Sequence, residues 1–155
     1  MTTPAGQGRS PVSLDAFEKA MNDRFRGTMM ELVGCRVIKA EPGKVMLEMP
    51  FRAQLRQLTG LFHTGALLTL ADTAATAASL SLLPEAAQGD LSTFSFSVQL
   101  SANLIANASE GTVNAEAVAV HRGRTTHVVE TRVTDAKGRL LVLTTTTHLI
   151  MPSSR

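Results

Sequence analysis

One ionisable side chain, Asp72, lies in the apolar stretch between His63 and Glu85. Hydroxyl residues accompany it at helical spacings of three or four, at Thr69, Thr73, Thr76 and Ser79. On a helix such spacing produces one polar stripe. A carboxylate taken out of water needs partners or costs much free energy. Asp72 is therefore either solvated on a surface stripe or set on the wall of a cleft, where it could act as a base or nucleophile.

A second candidate precedes the same stretch, in the segment from Gln57 to Ala66, which contains His63 and Gly65. Glycine in the first turn of a helix leaves backbone N–H groups unobstructed at the positive end of the helix dipole. That arrangement suits a carboxylate, a phosphate or a developing oxyanion. The alternative for Gly65 is tight packing of helix on sheet. For His63 it is a buried ring that ties the loop to the helix.

The spacing of the two candidates sets a condition on any shared chemistry. Asp72 follows Gly65 by seven residues, about 10 Å along a helix at 1.5 Å per residue. One small reacting group cannot touch both residues of the same chain. If both act on one substrate, Gly65 of one subunit must meet Asp72 of another, which predicts a homodimer.

The elements that would position these residues follow from the pattern of the chain. Residues 64–83 are rich in Leu and Ala and stop before Pro84, which predicts one long helix. An earlier helix is predicted to begin at Ser13 as N-cap. Alternating stretches predict strands at 35–40, 45–49, 92–105, 111–121, 125–134 and 140–150. Short joints between the last four strands require antiparallel pairing, so the predicted class is α+β, one sheet covering one long helix.

Length and composition bound the function classes. The 155 residues carry a net charge of +2, and aromatic side chains make up only 4% of them. This argues against a nucleic-acid binder that stacks bases on aromatic rings. We find no apolar run long enough to span a membrane and no cysteine pair, because Cys35 is alone, and we expect no signal peptide. We expect a cytoplasmic single domain over residues 13–155, behind a disordered lead-in over residues 1–12.

These residues carry a family resemblance. Gly60-x-x-His63-x-Gly65, followed by Leu70-Ala71-Asp72-Thr73-Ala74, resembles the PaaI-like branch of the hotdog-fold acyl-CoA thioesterases. The family motif runs Asn-x-x-Gly-x-x-His-Gly-Gly, with an acid nine residues after the His, where Asp72 stands here. Two positions depart from it: Gln57 replaces the Asn and Thr64 replaces the first Gly of the pair. Both departures concern efficiency and substrate choice more than reaction class.

The resemblance implies a hotdog fold, in which an antiparallel sheet wraps one central helix and subunits pair into dimers and tetramers. It also implies an acyl-CoA substrate, no further cofactor and no metal. The N–H of Gly65 would polarise the thioester carbonyl, beside His63 and Gln57, and Asp72 of the partner subunit would be general base or nucleophile. Ser97 would help place the attacking water. The implied substrate and CoA contacts are Thr64, Thr73, Arg122, Gly123, Arg124 and Thr125.

Other readings have less support. A hotdog hydratase would carry His five residues after Asp72, where Ala77 stands, and a dehydratase would carry Pro-Phe after His63. We find no Gly-x-Ser-x-Gly elbow of a serine hydrolase and no metal-ligand spacing among the remaining histidines, His121, His127 and His148. A non-catalytic acyl-CoA-binding or regulatory hotdog protein would keep the helix start but would not need Asp72. The sequence therefore predicts an acyl-CoA thioesterase.

Overall fold

A computed structural model describes residues 14–86 and 89–152. The predicted lead-in over residues 1–12 and the Ser13 cap lie outside this part. Three α-helices and six strands follow in the order α1 Asp15–Phe25, α2 Met29–Val33, β1 Arg36–Glu41, β2 Lys44–Pro50, α3 Thr64–Leu80, β3 Thr93–Leu104, β4 Thr112–Arg122, β5 Thr126–Thr134 and β6 Leu140–Pro152, with a 3-10 turn at Ala53–Leu55 before α3. All predicted strands are present, with ends shifted by at most two residues.

The six strands form one antiparallel sheet in the order β1-β2-β4-β5-β6-β3. The short joint between β3 and β4 does not produce a hairpin, although its length suggested one. Instead β3 pairs with β6 at one edge of the sheet, and β4 lies between β2 and β5. Within the described residues, the other side of β3 has no neighbouring strand.

Helix α3 lies against one face of the sheet and contacts all six strands. Its core-facing side consists mainly of small residues, with Ala71, Ala74, Ala75, Ala77 and Ala78 fully buried. Because alanine is short, the helix backbone can approach the sheet closely, and the alternating inward residues of β4 and β5 fill the space beneath it. The expected layout of one sheet wrapped around one helix is confirmed.

Helix α3 ends at Leu80, three residues before the predicted end. The Ser81 hydroxyl donates to Ala78 O at 2.7 Å and accepts from Gly43 N at 2.8 Å. These bonds tie the end of the helix to the turn between β1 and β2. Pro84 also disfavours helical backbone at the residue before it, so the chain leaves the helix early.

The crossover from β3 to β4 fixes the start of α3. The N–H of Phe62 donates to Ala108 O at 2.9 Å, and Asn107 Nδ2 donates to Phe62 O at 2.8 Å. Phe62 is fully buried and meets Phe51 edge to face, with ring centroids 4.9 Å apart. The residue before His63 is therefore clamped, and the first turn of α3 is held in place.

Over the described residues, no helix is both long and apolar enough to cross a lipid bilayer.

Candidate active site

The first turn of α3 presents backbone donors at an exposed position. His63 is the N-cap, and its Nδ1 accepts the N–H of Gly65 at 2.9 Å. His63 O accepts the N–H groups of Ala66 and Leu67. Among the described residues, the N–H of Thr64 is the one in this turn that has no acceptor. His63 and Gly65 are both exposed, so His63 is not the buried ring of the alternative reading, and it occupies the Gly65 N–H that the resemblance assigns to the carbonyl.

Gln57 lies in the loop that leads to this helix start. Its backbone N–H donates to Leu61 O at 2.8 Å, while Gly60, at φ 86°, makes the turn between them. Such a positive φ favours glycine. The Gln57 side chain donates from Nε2 to Thr59 Oγ1 at 2.8 Å. Gln57 is thus held in the same tight loop as His63.

Asp72 lies on the wall of a cleft of about 320 Å³. The cleft has five apolar residues, Met21, Phe25, Met30, Phe94 and Phe96, and five polar ones, Asp72, Thr73, Thr76, Ser95 and Ser97. Asp72 is half-buried, and its carboxylate makes no hydrogen bond or ion pair with the described part of the chain. Of the two alternatives for Asp72, the structure therefore supports the cleft wall: a free carboxylate lies beside an apolar surface that could accept an acyl group.

The other polar residues of the helix stripe divide into two groups. The hydroxyls of Thr69 and Thr73 donate to the carbonyls four residues earlier, at 2.8 and 2.7 Å, and Thr73 Oγ1 also lies 2.9 Å from Met30 Sδ. Thr73 therefore fixes the short helix α2 against the cleft. Ser79, by contrast, is fully buried beneath the sheet.

Ser97 and Asp72 line the same cleft, whereas Gly65 at the start of α3 lies apart from Asp72. Ser97 lies on edge strand β3 and is exposed in the single chain. Gly65 and Asp72 both belong to the continuous helix α3, so about 10 Å of helix separates them. The condition set by the spacing therefore stands in the folded chain.

The four residues expected to contact CoA, Arg122, Gly123, Arg124 and Thr125, lie where β4 turns into β5. The Arg122 guanidinium packs against Gly43, which also neighbours Leu82. They are thus at the C-terminal end of α3, and the 17 residues of that helix, about 25 Å, separate them from His63. Both arginines are exposed. Within one chain, they are closer along α3 to Asp72 than to the helix start.

Two buried histidines, His127 and His148, belong to the site's surroundings, although the sequence pattern indicated only a structural or surface role for them. Burial lowers the pKa of both rings. For His148 the charge of Asp72 opposes that effect, which places the two residues within electrostatic reach. The alternation of β6 turns Thr144, Thr146 and His148 to the same inward face, a signal that the sequence offered. Among the described residues, no cluster of three or more His, Cys, Asp or Glu could hold a metal ion.

Known proteins resemble this chain in sequence. Residues 59–142 match the family model described as "Thioesterase superfamily". The chain is 29% identical over 116 residues to the 1,4-dihydroxy-2-naphthoyl-CoA hydrolase of Listeria monocytogenes, covering 74% of this chain and 89% of that protein.

Solved structures give the same answer. A thioesterase family protein from Silicibacter pomeroyi superimposes with a TM-score of 0.77 at 26% identity, covering 88% of this chain and 99% of that one. The E. coli PaaI protein from the phenylacetic acid degradation operon also gives 0.77, at 20% identity, with coverages of 90% and 96%. The chain therefore belongs to the thioesterase superfamily, with the PaaI-like hotdog fold that its motifs predict.

Proposed function

We propose that this protein is an acyl-CoA thioesterase, which hydrolyses the thioester to a free acid and CoA. Membership of the thioesterase superfamily supports thioester hydrolysis in general. The observation that carries the finer proposal is the free Asp72 carboxylate, half-buried beside Ser97 in a cleft with an apolar wall. The name of the Listeria relative, an acyl-CoA hydrolase, supports CoA as the leaving group.

The proposed reaction uses two groups of α3: the backbone N–H groups of its first turn and the Asp72 carboxylate. The helix start would stabilise the negative charge that develops on the carbonyl oxygen, through the N–H of Gly65 if His63 turns away, or through the unoccupied N–H of Thr64. Asp72 would take a proton from water as the water attacks the carbonyl carbon, or would attack that carbon itself. In the first route the C–S bond then breaks, the free acid forms, and CoA leaves as the thiolate, which takes up the proton held by Asp72. In the second route CoA leaves as the thiolate from an Asp72–acyl anhydride, which water hydrolyses to the free acid and the Asp72 carboxylate. The proton released by that water goes to the thiolate.

The site requires a second copy of the chain, because Gly65 and Asp72 of one helix cannot reach one carbonyl. Strand β3 supports that partner. It is an edge strand, and its exposed large apolar residues are Phe96 (38%), Val98 (60%), Leu100 (38%) and Leu104 (53%). An exposed apolar edge is a template for pairing with another strand. A dimer through β3 would cover this edge beside Ser97 and Asp72, and the family resemblance extends the expectation to a tetramer.

The exposed arginines of the β4–β5 turn suit the CoA end of the substrate. Arg122 and Arg124 carry positive charge without any acidic partner among the described residues. Guanidinium groups bind phosphates with two parallel hydrogen bonds. Two such groups could hold the CoA phosphates without a broad basic surface, which agrees with the net charge of only +2.

Thiol release from a panel of aryl-, short- and medium-chain acyl-CoAs tests the proposal. We expect turnover of at least one of them. Asp72→Asn keeps the shape of the side chain but removes its basicity, so kcat should fall on the order of 100- to 10,000-fold. The matched control is Asp15→Asn, which removes a carboxylate from the exposed first turn of α1 and should leave kcat unchanged.

Two results would contradict the proposal. One is no turnover of any thioester in the panel by the folded wild-type protein. This would favour the acyl-CoA-binding alternative if CoA esters still bind. The other is a folded Asp72→Asn variant with wild-type activity.

A further inference from the structure

Two groups of hydrogen-bonded polar side chains are buried between α3 and the sheet. Ser95 Oγ donates to Ser79 Oγ at 2.6 Å, and Ser79 Oγ is 2.7 Å from His127 Nδ1. On the next strand, Thr146 Oγ1 is 2.8 Å from His148 Nε2. All five residues are buried. Ser95 also lines the cleft that contains Asp72, so the first group reaches the candidate active site.

One atom of the second group has no partner. His148 is fully buried, and its Nδ1 makes no hydrogen bond within the described residues. An unpaired polar atom in the interior is costly and therefore needs an explanation. Two other buried atoms share this property, the hydroxyls of Thr131 and Thr144, but these residues are direct partners across β5 and β6. The partner of His148 on β5 is His127, whose Nδ1 bonds to Ser79, and no hydrogen bond joins the two rings among the described residues.

The register of the sheet identifies the neighbour of His148 on its other side. His148 is paired with His127 on β5 and with Ser97 on β3. Directly opposite residues point to the same face, with Cβ atoms about 5 Å apart. The Ser97 hydroxyl also has no hydrogen-bond partner among the described residues. Two unpaired polar groups thus stand side by side, one buried and one in the cleft with Asp72.

We propose that His148 is a positioning residue, whose Nδ1 accepts a hydrogen bond from the Ser97 hydroxyl once the Ser97 side chain, which makes no such bond in the structure, turns toward the ring. This rests on the function proposed above. With its proton committed to His148, Ser97 Oγ offers lone pairs to the attacking water. That water would then donate one proton to Asp72 and the other to Ser97, and would direct its own lone pair at the carbonyl carbon. His148 acts through Ser97 and does not touch the substrate.

The contacts on the far side of the ring fit this direction of donation. The Thr146 hydroxyl lies 3.4 Å from Val129 O, to which it can donate, and its oxygen lies 2.8 Å from His148 Nε2. We assign the hydroxyl proton to Val129 O, so that Thr146 Oγ1 accepts from Nε2. The ring proton then resides on Nε2, and Nδ1 keeps its lone pair. The titratable groups that face the ring are Asp72 from α3 and His127 from β5. Burial is the largest effect and holds the pKa of His148 below its usual value, so the ring is neutral, as an acceptor must be.

The first test reads the hydrogen bond directly, by nitrogen NMR of the labelled imidazole in the assembled protein. We expect the Nε2–H tautomer, and a shift of the Nδ1 resonance on Ser97→Ala. The matched control is Ser101→Ala, an exposed serine on the same strand, which should leave Nδ1 unchanged. A proton on Nδ1, or a resonance that ignores Ser97→Ala, overturns the inference.

The second test is a double-mutant cycle on thioester hydrolysis. His148→Leu and Ser97→Ala should each lower kcat on the order of 10- to 100-fold with KM nearly unchanged, because the water loses its orientation. Combined, they should lower kcat no further than either alone. His148→Asn keeps an acceptor near the position of Nδ1 and should recover most of kcat. It also provides the readout if His148→Leu does not fold. Losses that multiply, or an inactive His148→Asn that is folded, overturn the inference.

The two proposals fail in different ways. A wild-type protein that hydrolyses no thioester overturns the function and with it the role of His148. An active protein whose Nδ1 resonance ignores Ser97→Ala overturns only the role of His148.

Discussion

At the scale of single residues, the chemistry depends on which groups are left free. Asp72 has no partner among the described residues, whereas the N–H of Gly65 is bonded to His63 Nδ1 at 2.9 Å. The neighbouring N–H of Thr64 has no acceptor in the described part of the chain, although a β-branched side chain stands where the family motif has glycine. The departure at Thr64 therefore leaves the backbone donor available, since a side chain does not remove its own N–H.

Thr64→Pro decides which donor stabilises the oxyanion. Thr64 is the first helical residue, a position where proline fits because its N–H has no partner in the helix. His63 already has extended backbone, at φ −64° and ψ 133°, as a residue before proline requires. If the Thr64 N–H binds the carbonyl oxygen, kcat should fall on the order of 100- to 1,000-fold. Steady-state kinetics on the best thioester measures it.

Thr64→Ala is the control, because it removes the side chain and keeps the N–H. It should retain most of the activity. If Thr64→Pro is as active as Thr64→Ala, the oxyanion donor is instead the N–H of Gly65, and His63 must turn away when substrate binds.

At the scale of elements, α3 must both pack closely on the sheet and present polar side chains to the cleft, and it does so on different faces. Its alanines allow close packing on the sheet, yet the same helix must place polar groups at the cleft. Asp72, Thr73 and Thr76 meet the cleft, while Ser79, one turn further on, enters the buried contact with His127. The polar stripe thus passes from open to buried along one helix, because Ser79 meets Ser95 of β3 and His127 of β5.

The buried histidines predict a loss of stability on mild acidification. Burial lowers the pKa of His127 and His148 from 6.5, so the unfolded chain binds protons that the folded chain does not. The free energy of unfolding is therefore highest above about pH 7, where both histidines are neutral in the folded and the unfolded chain. It decreases as the pH falls below about 6.5, towards the pKa values of the histidines in the folded chain. We expect a lower urea midpoint at about pH 5.5 than at about pH 7.5.

A His127→Asn/His148→Asn double variant isolates this effect, and its midpoint should change less between the two pH values. The carboxyls whose pKa is lowered, Asp23, Glu41 and Asp135, titrate at lower pH and do not enter this window. A wild-type midpoint that is equal or higher at the acidic pH would refute the prediction.

At the scale of the whole molecule, the proposed site exists only between two copies. Gly65 and Asp72 share one continuous helix, and the apolar edge of β3 lies beside the cleft. In a two-fold dimer each site would combine the helix start of one subunit with Asp72 of the other. A site shared in this way can be restored by mixing two different inactive variants, whereas a site within one chain cannot.

Two inactive variants should restore activity when mixed. Asp72→Asn removes the carboxylate. Gly65→Leu covers the helix start with a side chain whose Cβ would lie only 3.0 Å from His63 Nδ1, so it would also crowd that ring. Co-refolding equal amounts should recover about a quarter of wild-type activity, because half of the dimers are mixed and each mixed dimer has one intact site. Thiol release before and after mixing measures the recovery.

The same mixture with Leu100→Asp added to both chains is the control, since a charge on the β3 edge should prevent pairing. It should show no recovery, with a monomer mass in solution. No recovery from the pairing-competent mixture, while its mass is that of a dimer, would place Gly65 and Asp72 in separate roles.

By itself, the sequence determined the α+β class, the strand positions, the long helix α3 without its exact end, the motif from Gly60 to Asp72 and the thioesterase family, but not the short helix α2. These follow from local periodicity, from a helix-breaking Pro84 and from a short motif, all of which can be read from neighbouring residues. The spacing of Gly65 and Asp72 also predicted a shared site, because helix geometry fixes their separation.

Only the tertiary structure decided which residues share that site. Strand β3 pairs with β6 and not with its sequence neighbour β4, and this pairing places Ser97 opposite His148 and beside Asp72. It also showed that His63 occupies the Gly65 N–H and that the Arg122 turn lies at the far end of α3. These relations join residues distant in sequence through sheet register and packing, and no local pattern specifies which strand becomes the neighbour of which.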